Sequence, residues 1–348
     1  MHRPVSRAFF VLFIPIFWAW SSCADKQQEV IRSFYHWQTT LDLSTEEIQE
    51  LSSLGVHDLY VKYFDVIWDE EAAQPRPVAK LQTVQVPDEL SIHPVIFLTN
   101  ETLEHLDMDG VNDLAWRMCK LMDQIHTGLS KDPPAIIQID CDWTAGTRDK
   151  YFQLLKQMQT YKRFEETIWS ATIRLHQYAY PQQTGVPPVD RGLLMFYNMG
   201  NIEDPDAAHS IYDPSTAEAY LKQTDHYPIP LDAGIALFSW GLYFHHRELQ
   251  QIFYPLYADE LLKESLFTTV DDTHFAATGE GYFRGRFVQP GDTIRIESMS
   301  PELGLKSAEQ LSPYLHDHPL SVILYHTDPV ILQHYTHEEL DSVFSAFE

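Results

Sequence analysis

The sequence predicts a single (β/α)8 barrel, and three observations predict it. Eight runs of apolar, β-branched and aromatic residues recur along the chain, most of them followed by an amphipathic helical pattern. No phosphate-cradling glycine cluster stands at an early strand–helix turn, which removes the open, doubly wound alternative. The fourth run, AIIQIDCDWT at 135–144, is apolar on one side and acidic on the other. Ile137, Ile139, Cys141 and Trp143 alternate with Gln138, Asp140, Asp142 and Thr144. Such a strand fits a parallel ring, its apolar side on the helices and its polar side lining the barrel mouth. An unpaired buried carboxylate is very costly, so two of them in a barrel interior need partners or a purpose.

Residues 1–22 read as a targeting signal. Arg3 and Arg7 open it, and the apolar stretch at 8–20 is too short for an ordinary membrane span. Trp20-Ser21-Ser22-Cys23 resembles the bacterial lipobox, with Trp20 in place of the usual aliphatic residue. That resemblance implies lipidation of Cys23, a short tether over 23–29 and a lipid anchor in the membrane. It places the protein in a bacterial cell envelope, at the outer membrane rather than the inner one in a Gram-negative cell. A plain secretory signal, cleaved near Ser22 or Ala24, is the alternative.

The barrel then occupies 30–348. Strand patterns cover 30–39, 58–68, 93–100, 135–144, 167–178, 192–199, 233–243 and 320–325. Ser44-Thr45-Glu46-Glu47 is a capping box that opens a helix to about residue 54. Val111, Leu114, Ala115, Met118, Leu121, Met122 and Ile125 fall at helical spacing over 111–126. Tyr151, Leu154, Leu155 and Met158 mark the next helix, with two more expected at 215–223 and 248–262. Thr336-His337-Glu338-Glu339 caps a last helix that buries Leu340, Val343, Phe344 and Phe347. One segment breaks the alternation. Residues 278–300 alternate around Gly279, Gly281, Gly285 and the turn Pro290-Gly291, a small β-hairpin insertion at about 264–300 before the last strand.

The formal net charge of −26 argues against nucleic acid and against polybasic attachment to anionic lipid. Past the signal only Cys119 and Cys141 remain, which is no disulfide framework; both read as buried free thiols. Neither His245-His246 nor His316-Asp317-His318 has metal-ligand spacing, so no metal and no cofactor are expected.

Enzymes built on this barrel work at the C-terminal ends of the strands. Those ends deliver His36 and Trp37; Asp65 and Trp68; Asp140, Asp142 and Thr144; Thr172, Arg174, His176 and Tyr178; Tyr197 and Asn198; Trp240; and Tyr325. Rings mixed with carboxylates and amides suit a sugar, whose C–H face stacks while its hydroxyls form hydrogen bonds. Trp37, Trp68, Arg174, His176, Asn198, Trp240 and Tyr325 are the expected contacts for a polysaccharide or glycan.

Asp140-Cys141-Asp142-Trp143 resembles the fourth-strand signature of family 18 glycoside hydrolases, the chitinase-like barrels, where alternating aspartates precede Trp and a catalytic Glu. Met195-Phe196-Tyr197-Asn198 is similar to that family's sixth-strand Met-x-Tyr-Asp. More broadly, the chain looks like glycosidase-like bacterial lipoproteins. The resemblance implies catalytic or stabilising roles for Asp140, Asp142 and Tyr197. Thr144 stands where the family has its acid, and Asn198 where it has Asp. Threonine is no general acid near neutral pH, so a reaction that uses one acid and the substrate's own acetamido group loses that acid. Two readings follow. Asp142 replaces the acid, its proton affinity raised by Asp140, in an envelope glycoside hydrolase. Alternatively the barrel binds a glycan without cutting it, as a non-catalytic scaffold. The same residues also allow a purely structural role, a closed ion-pair network of Lys62, Asp140, Asp142 and Arg174.

Overall fold

The computed structural model describes residues 29–129, 131–224, 226–316 and 319–348. The targeting signal, Cys23 and His318 lie outside the described residues.

Eight parallel strands close into a ring: β1 (Val30–His36), β2 (Asp58–Asp69), β3 (Ser91–Leu98), β4 (Ile136–Asp140), β5 (Ile168–Arg174), β6 (Arg191–Met195), β7 (Leu231–Ala236) and β8 (Leu320–Tyr325). Closure is explicit in the pairing, since β8 runs beside β1 from Val30↔Leu320 to Phe34↔Leu324. A further strand, Gln74–Val78, pairs antiparallel with the end of β2 outside the ring. The pattern in β4 sets the layers as expected. Ile137 and Ile139 join the core with Val111, Leu114 and Met118 of helix Met108–Gly128 and with Leu154 of helix Arg148–Met158. Gln138 and Asp140 are buried on the other side, in the ring. Cys119 and Cys141 are free and buried. Burial pushes the Cys119 thiol up to about 12.

Strands end earlier than the sequence pattern suggests, because local turns compete for the chain. β5 stops at Arg174, where the backbone N–H donates to Gln177 Oε1 at 2.8 Å and the helical turn Leu175–Ala179 begins. His176 and Tyr178 therefore do not continue the polar strand face that alternation predicts. Tyr178 is buried and stacks on Tyr227 with ring centroids 6.0 Å apart. β4 likewise ends at Asp140, and Thr144 already belongs to the turn into Arg148–Met158.

The insertion is larger than a hairpin and begins at Ser239 rather than near 264. It is a five-stranded antiparallel sheet in the order Glu248–Phe253, Ser239–His245, Thr293–Ser298, His274–Ala277, Phe267–Thr269. The small hairpin Gly281–Phe283/Arg286–Val288 is a separate two-stranded sheet within the same segment. The expected strand at 233–243 is thus two strands, one in the ring and one in the insertion. The expected helix at 248–262 is a strand followed by a short helix, Ala258–Lys263. His246 (φ 50°) and Arg247 (φ 67°) make the two-residue left-handed turn that a hairpin needs, without the Gly or Asn that usually signals it.

A buried, ion-paired carboxylate ties the insertion to the loop after β6. Arg295 Nη2 meets Glu297 Oε1 at 2.7 Å, both side chains fully buried. Glu297 Oε2 accepts from the Ser210 N–H (2.8 Å), the Ser210 hydroxyl (2.6 Å), the Ile211 N–H (3.2 Å) and Trp240 Nε1 (3.1 Å). Removing one member of a buried pair leaves the other charge uncompensated. Glu297→Ala is expected to lower the unfolding free energy by about 3–5 kcal/mol in urea titrations, and Glu297→Gln, which keeps an acceptor for the same donors, by less.

Candidate functional site

A cavity of about 470 Å³ opens at the C-terminal mouth of the ring. β1 supplies Tyr35 and places Trp37 just beyond its end, because two residues apart they share one face. Tyr325, closing β8, sits among rings, with centroids 5.6 Å from Tyr35, 5.5 Å from Trp37, 5.9 Å from Tyr197 and 5.8 Å from Phe238. The insertion adds Trp240, Ile252 and Tyr254. Tyr254 Oη lies 3.0 Å from His326 Nε2, and burial pushes that imidazole down to about 4.

Asp140 is the buried carboxyl of this cavity. Its Oδ1 accepts from the Thr172 hydroxyl at 2.7 Å. Burial, then the charge of Asp142, push it up to about 6; the Thr172 hydrogen bond and Arg174 pull the other way, and Asp65 adds to the rise. Burial also raises the phenol of Tyr197 well above its ordinary range.

Asp142 faces a second cavity, also about 470 Å³, with Arg174, His176 and Tyr220. Tyr197, Asn198 and Trp240 line both cavities and form their common wall. Arg174 grips Asp142 at two points, Nε to Oδ1 and Nη2 to Oδ2, each 2.6 Å. Both carboxylate oxygens are engaged, so neither is free to give a proton to a leaving oxygen. The substitute-acid role expected for Asp142 does not fit this geometry.

The closed four-membered network does not form either. Lys62 pairs with Asp65 at 3.1 Å and lies 5.3 Å from the Trp37 ring centre. Among the described residues, no ion pair joins Lys62 to Asp140 or Asp142, or Arg174 to Asp140.

Of the expected sugar contacts, Trp37, Asn198, Trp240 and Tyr325 line the first cavity, and Arg174 and His176 line the second. Trp68 lines neither; it stacks on His105 with centroids 4.5 Å apart. Thr144 is exposed, lines neither cavity, and turns its hydroxyl to Thr147 Oγ1 at 3.3 Å. Thr172 and Asp65 stood among the strand-end residues without a role of their own, and Tyr35 was not singled out. Tyr254 was not legible, because its segment reads as a helix. Glu70, Glu101 and His105 bring ligand atoms within 4.8 Å of one another, but all three are exposed and outside both cavities.

No family model matches the sequence, and no curated protein matches it significantly. Solved structures do match. The Bacillus cereus spore cortex-lytic enzyme SleL superposes with a TM-score of 0.53 at 12% identity, over 92% of this chain and 75% of that one. A chitinase from Chromobacterium violaceum gives 0.50 at 10% identity, over 91% and 97%. The GH18 chitinase ChiB of Flavobacterium johnsoniae gives 0.50 at 10% identity, over 92% and 94%. The chain shares the TIM-barrel fold of these structures. At such identities the likeness is one of fold, and the chemistry of this barrel has to be argued from its own side chains.

Asp140 makes one such argument measurable. Its carboxyl rises from 3.8 to about 6 on folding, so the native state binds a proton more tightly than the unfolded chain. Native stability therefore falls as pH rises from about 4 through 6 and stays reduced above that. Asp140→Asn keeps the acceptor for Thr172 and removes the charge. It is expected to be more stable than the parent by about 3 kcal/mol at pH 8, with the difference gone near pH 3, in urea unfolding at both pH values.

Proposed function

We propose that this protein binds a glycan chain across the two joined cavities and does not carry out acid-assisted hydrolysis of the chitinase type. The observation that carries the reading is the fate of the fourth-strand motif. Thr144 has no carboxyl and lines neither cavity, and both oxygens of Asp142 are held by Arg174. What remains is a ring-lined cleft with hydroxyl, amide and carboxyl groups between the rings, which suits a sugar. The neighbours named as chitinases and as a cortex-lytic enzyme share the fold and agree with a glycan as ligand. A second reading has one observation behind it. Asp140 faces the cavity and titrates near 6, the range suited to a general acid. The proposal includes the anchor: Cys23 carries lipid and holds the barrel at the envelope, at the outer membrane where there is one.

Oligomers of glucose, N-acetylglucosamine and glucosamine, together with peptidoglycan glycan strands, test this reading by calorimetry and by reducing-end assay. Saturable binding without new reducing ends is expected, weakened about tenfold or more by Trp37→Ala, the order of one lost stacking contact. New reducing ends that disappear in Asp140→Asn establish the second reading instead. A panel that is neither bound nor cut removes the glycan. For the anchor, Cys23→Ser is expected to abolish labelling with radioactive palmitate and to release the protein from the membrane fraction; labelling that persists rules the anchor out.

A further inference from the structure

We propose that the first cavity selects a sugar unit with a free amino group, so that the bound glycan is a polymer containing unsubstituted amino sugars. The inference rests on the glycan reading above and narrows it to a substrate class.

Charge is the first argument. The first cavity is lined by two carboxyl groups, Asp65 and Asp140, and by no Lys, Arg or His among the described residues. Lys62 is buried behind this wall, against Asp65 and the Trp37 ring, and is not part of the lining. An acidic sugar would bring its charge against these carboxyls, and the nearest cation, Lys62, is already engaged by Asp65.

An unanswered acceptor is the second. Asp140 Oδ1 takes the Thr172 hydroxyl, and among the described residues no donor reaches Asp140 Oδ2, which is not sealed off and can meet a donor from the cavity. Asp65 Oδ2 holds Lys62 and Asp65 Oδ1 is shut away from the cavity, so Asp65 acts through its charge. A carboxylate oxygen without a donor is a ready partner for an N–H group. An ammonium group carries three N–H donors and a positive charge. An acetamide carries one N–H and a carbonyl that itself needs a donor. Asp142, the other aspartate of the motif, is taken by Arg174 and faces the second cavity.

The rings are the third. Trp37, Tyr254 and Tyr325 line the same cavity as the two carboxyls, and aromatic faces attract a desolvated cation. The excess of 50 acidic over 24 basic residues adds a long-range field that draws in a polycation.

The test compares glucosamine tetramer, the same tetramer re-acetylated, and a glucose tetramer by calorimetry, at 150 mM salt and at a pH where the amine is protonated. The glucosamine oligomer is expected to bind at least tenfold more tightly than its acetylated form. The ratio should fall towards one in Asp65→Asn and in Asp140→Asn, with near-ultraviolet circular dichroism confirming the fold of each. An oligolysine of equal charge should not displace the sugar, which separates the cavity from the acidic surface. Equal affinity for the free and acetylated tetramers overturns the inference, and so does a preference that survives in both variants or is competed away by oligolysine. If no tetramer binds while peptidoglycan strands do, this inference fails and the glycan reading stands; if nothing in the panel binds, the glycan reading itself fails.

Discussion

Closure of β8 onto β1 is the constraint on which the rest of the molecule depends. In a closed parallel ring every second side chain must point inward, and each inward polar group must be answered from a neighbouring strand. The ring does this in layers. At the N-terminal end Arg191 of β6 binds Asp232 of β7 through two nitrogens, at 2.6 and 3.0 Å, and Asp232 accepts the Ser321 N–H of β8 at 2.8 Å. In the middle Tyr35 of β1 donates to Gln138 of β4, whose amide donates to Ser170 of β5 at 3.2 Å. At the mouth Asp140 of β4 takes Thr172 of β5. The lower layers are answered largely by protein groups, with Ser33 Oγ and His93 Nδ1 left without a partner. The top layer is answered only in part, and that is where the cavity lies.

This layering separates two aspartates that stand side by side in the sequence. Asp140 is the last residue of β4, so the ring controls its direction and buries it. Asp142 is beyond the strand, where direction is set by whichever partner reaches it, and Arg174 at the end of β5 does so with both ends of its guanidinium. A two-residue step therefore moves a carboxyl from one cavity to the other. The wall between them, Tyr197, Asn198 and Trp240, comes from two different parts of the chain, the end of β6 and the start of the insertion. Glu297 holds them in relation by taking Trp240 Nε1 and the Ser210 and Ile211 N–H groups on the same oxygen.

Legibility in the sequence follows the same physics. The ring was readable because alternation on β4, and helical spacing over 111–126, report which face is buried, and burial is what packing selects. Asp140, Trp37, Tyr325 and Asn198 sit at or next to the ends of ring strands, so their place in the cleft came with the fold. Trp68 was misread because β2 runs on past the ring to pair with Gln74–Val78, and its apparent C-terminal end is not the mouth. The four-membered ion network was misread because sequence shows charges but not reach: Lys62 is three residues from Asp65 and pairs there instead.

The insertion shows why the remainder stayed hidden. Its first hairpin turns at His246 and Arg247, residues that carry no turn signal, and the left-handed backbone there is held by the surrounding sheet rather than by local preference. The residue pattern of Glu248–Phe253 is equally uninformative, since that strand lies at the sheet edge with most of its side chains at least partly exposed. Yet Ile252 and Tyr254, at and just after the end of this strand, line the cavity. A binding wall built from an edge strand gains its shape from tertiary contacts, Trp240 on Glu297 and Tyr254 on His326, that join residues 57 and 72 positions apart. Local periodicity carries no information at that separation. The part of the cleft that distinguishes this barrel from a bare ring is therefore the part a sequence pattern reports least.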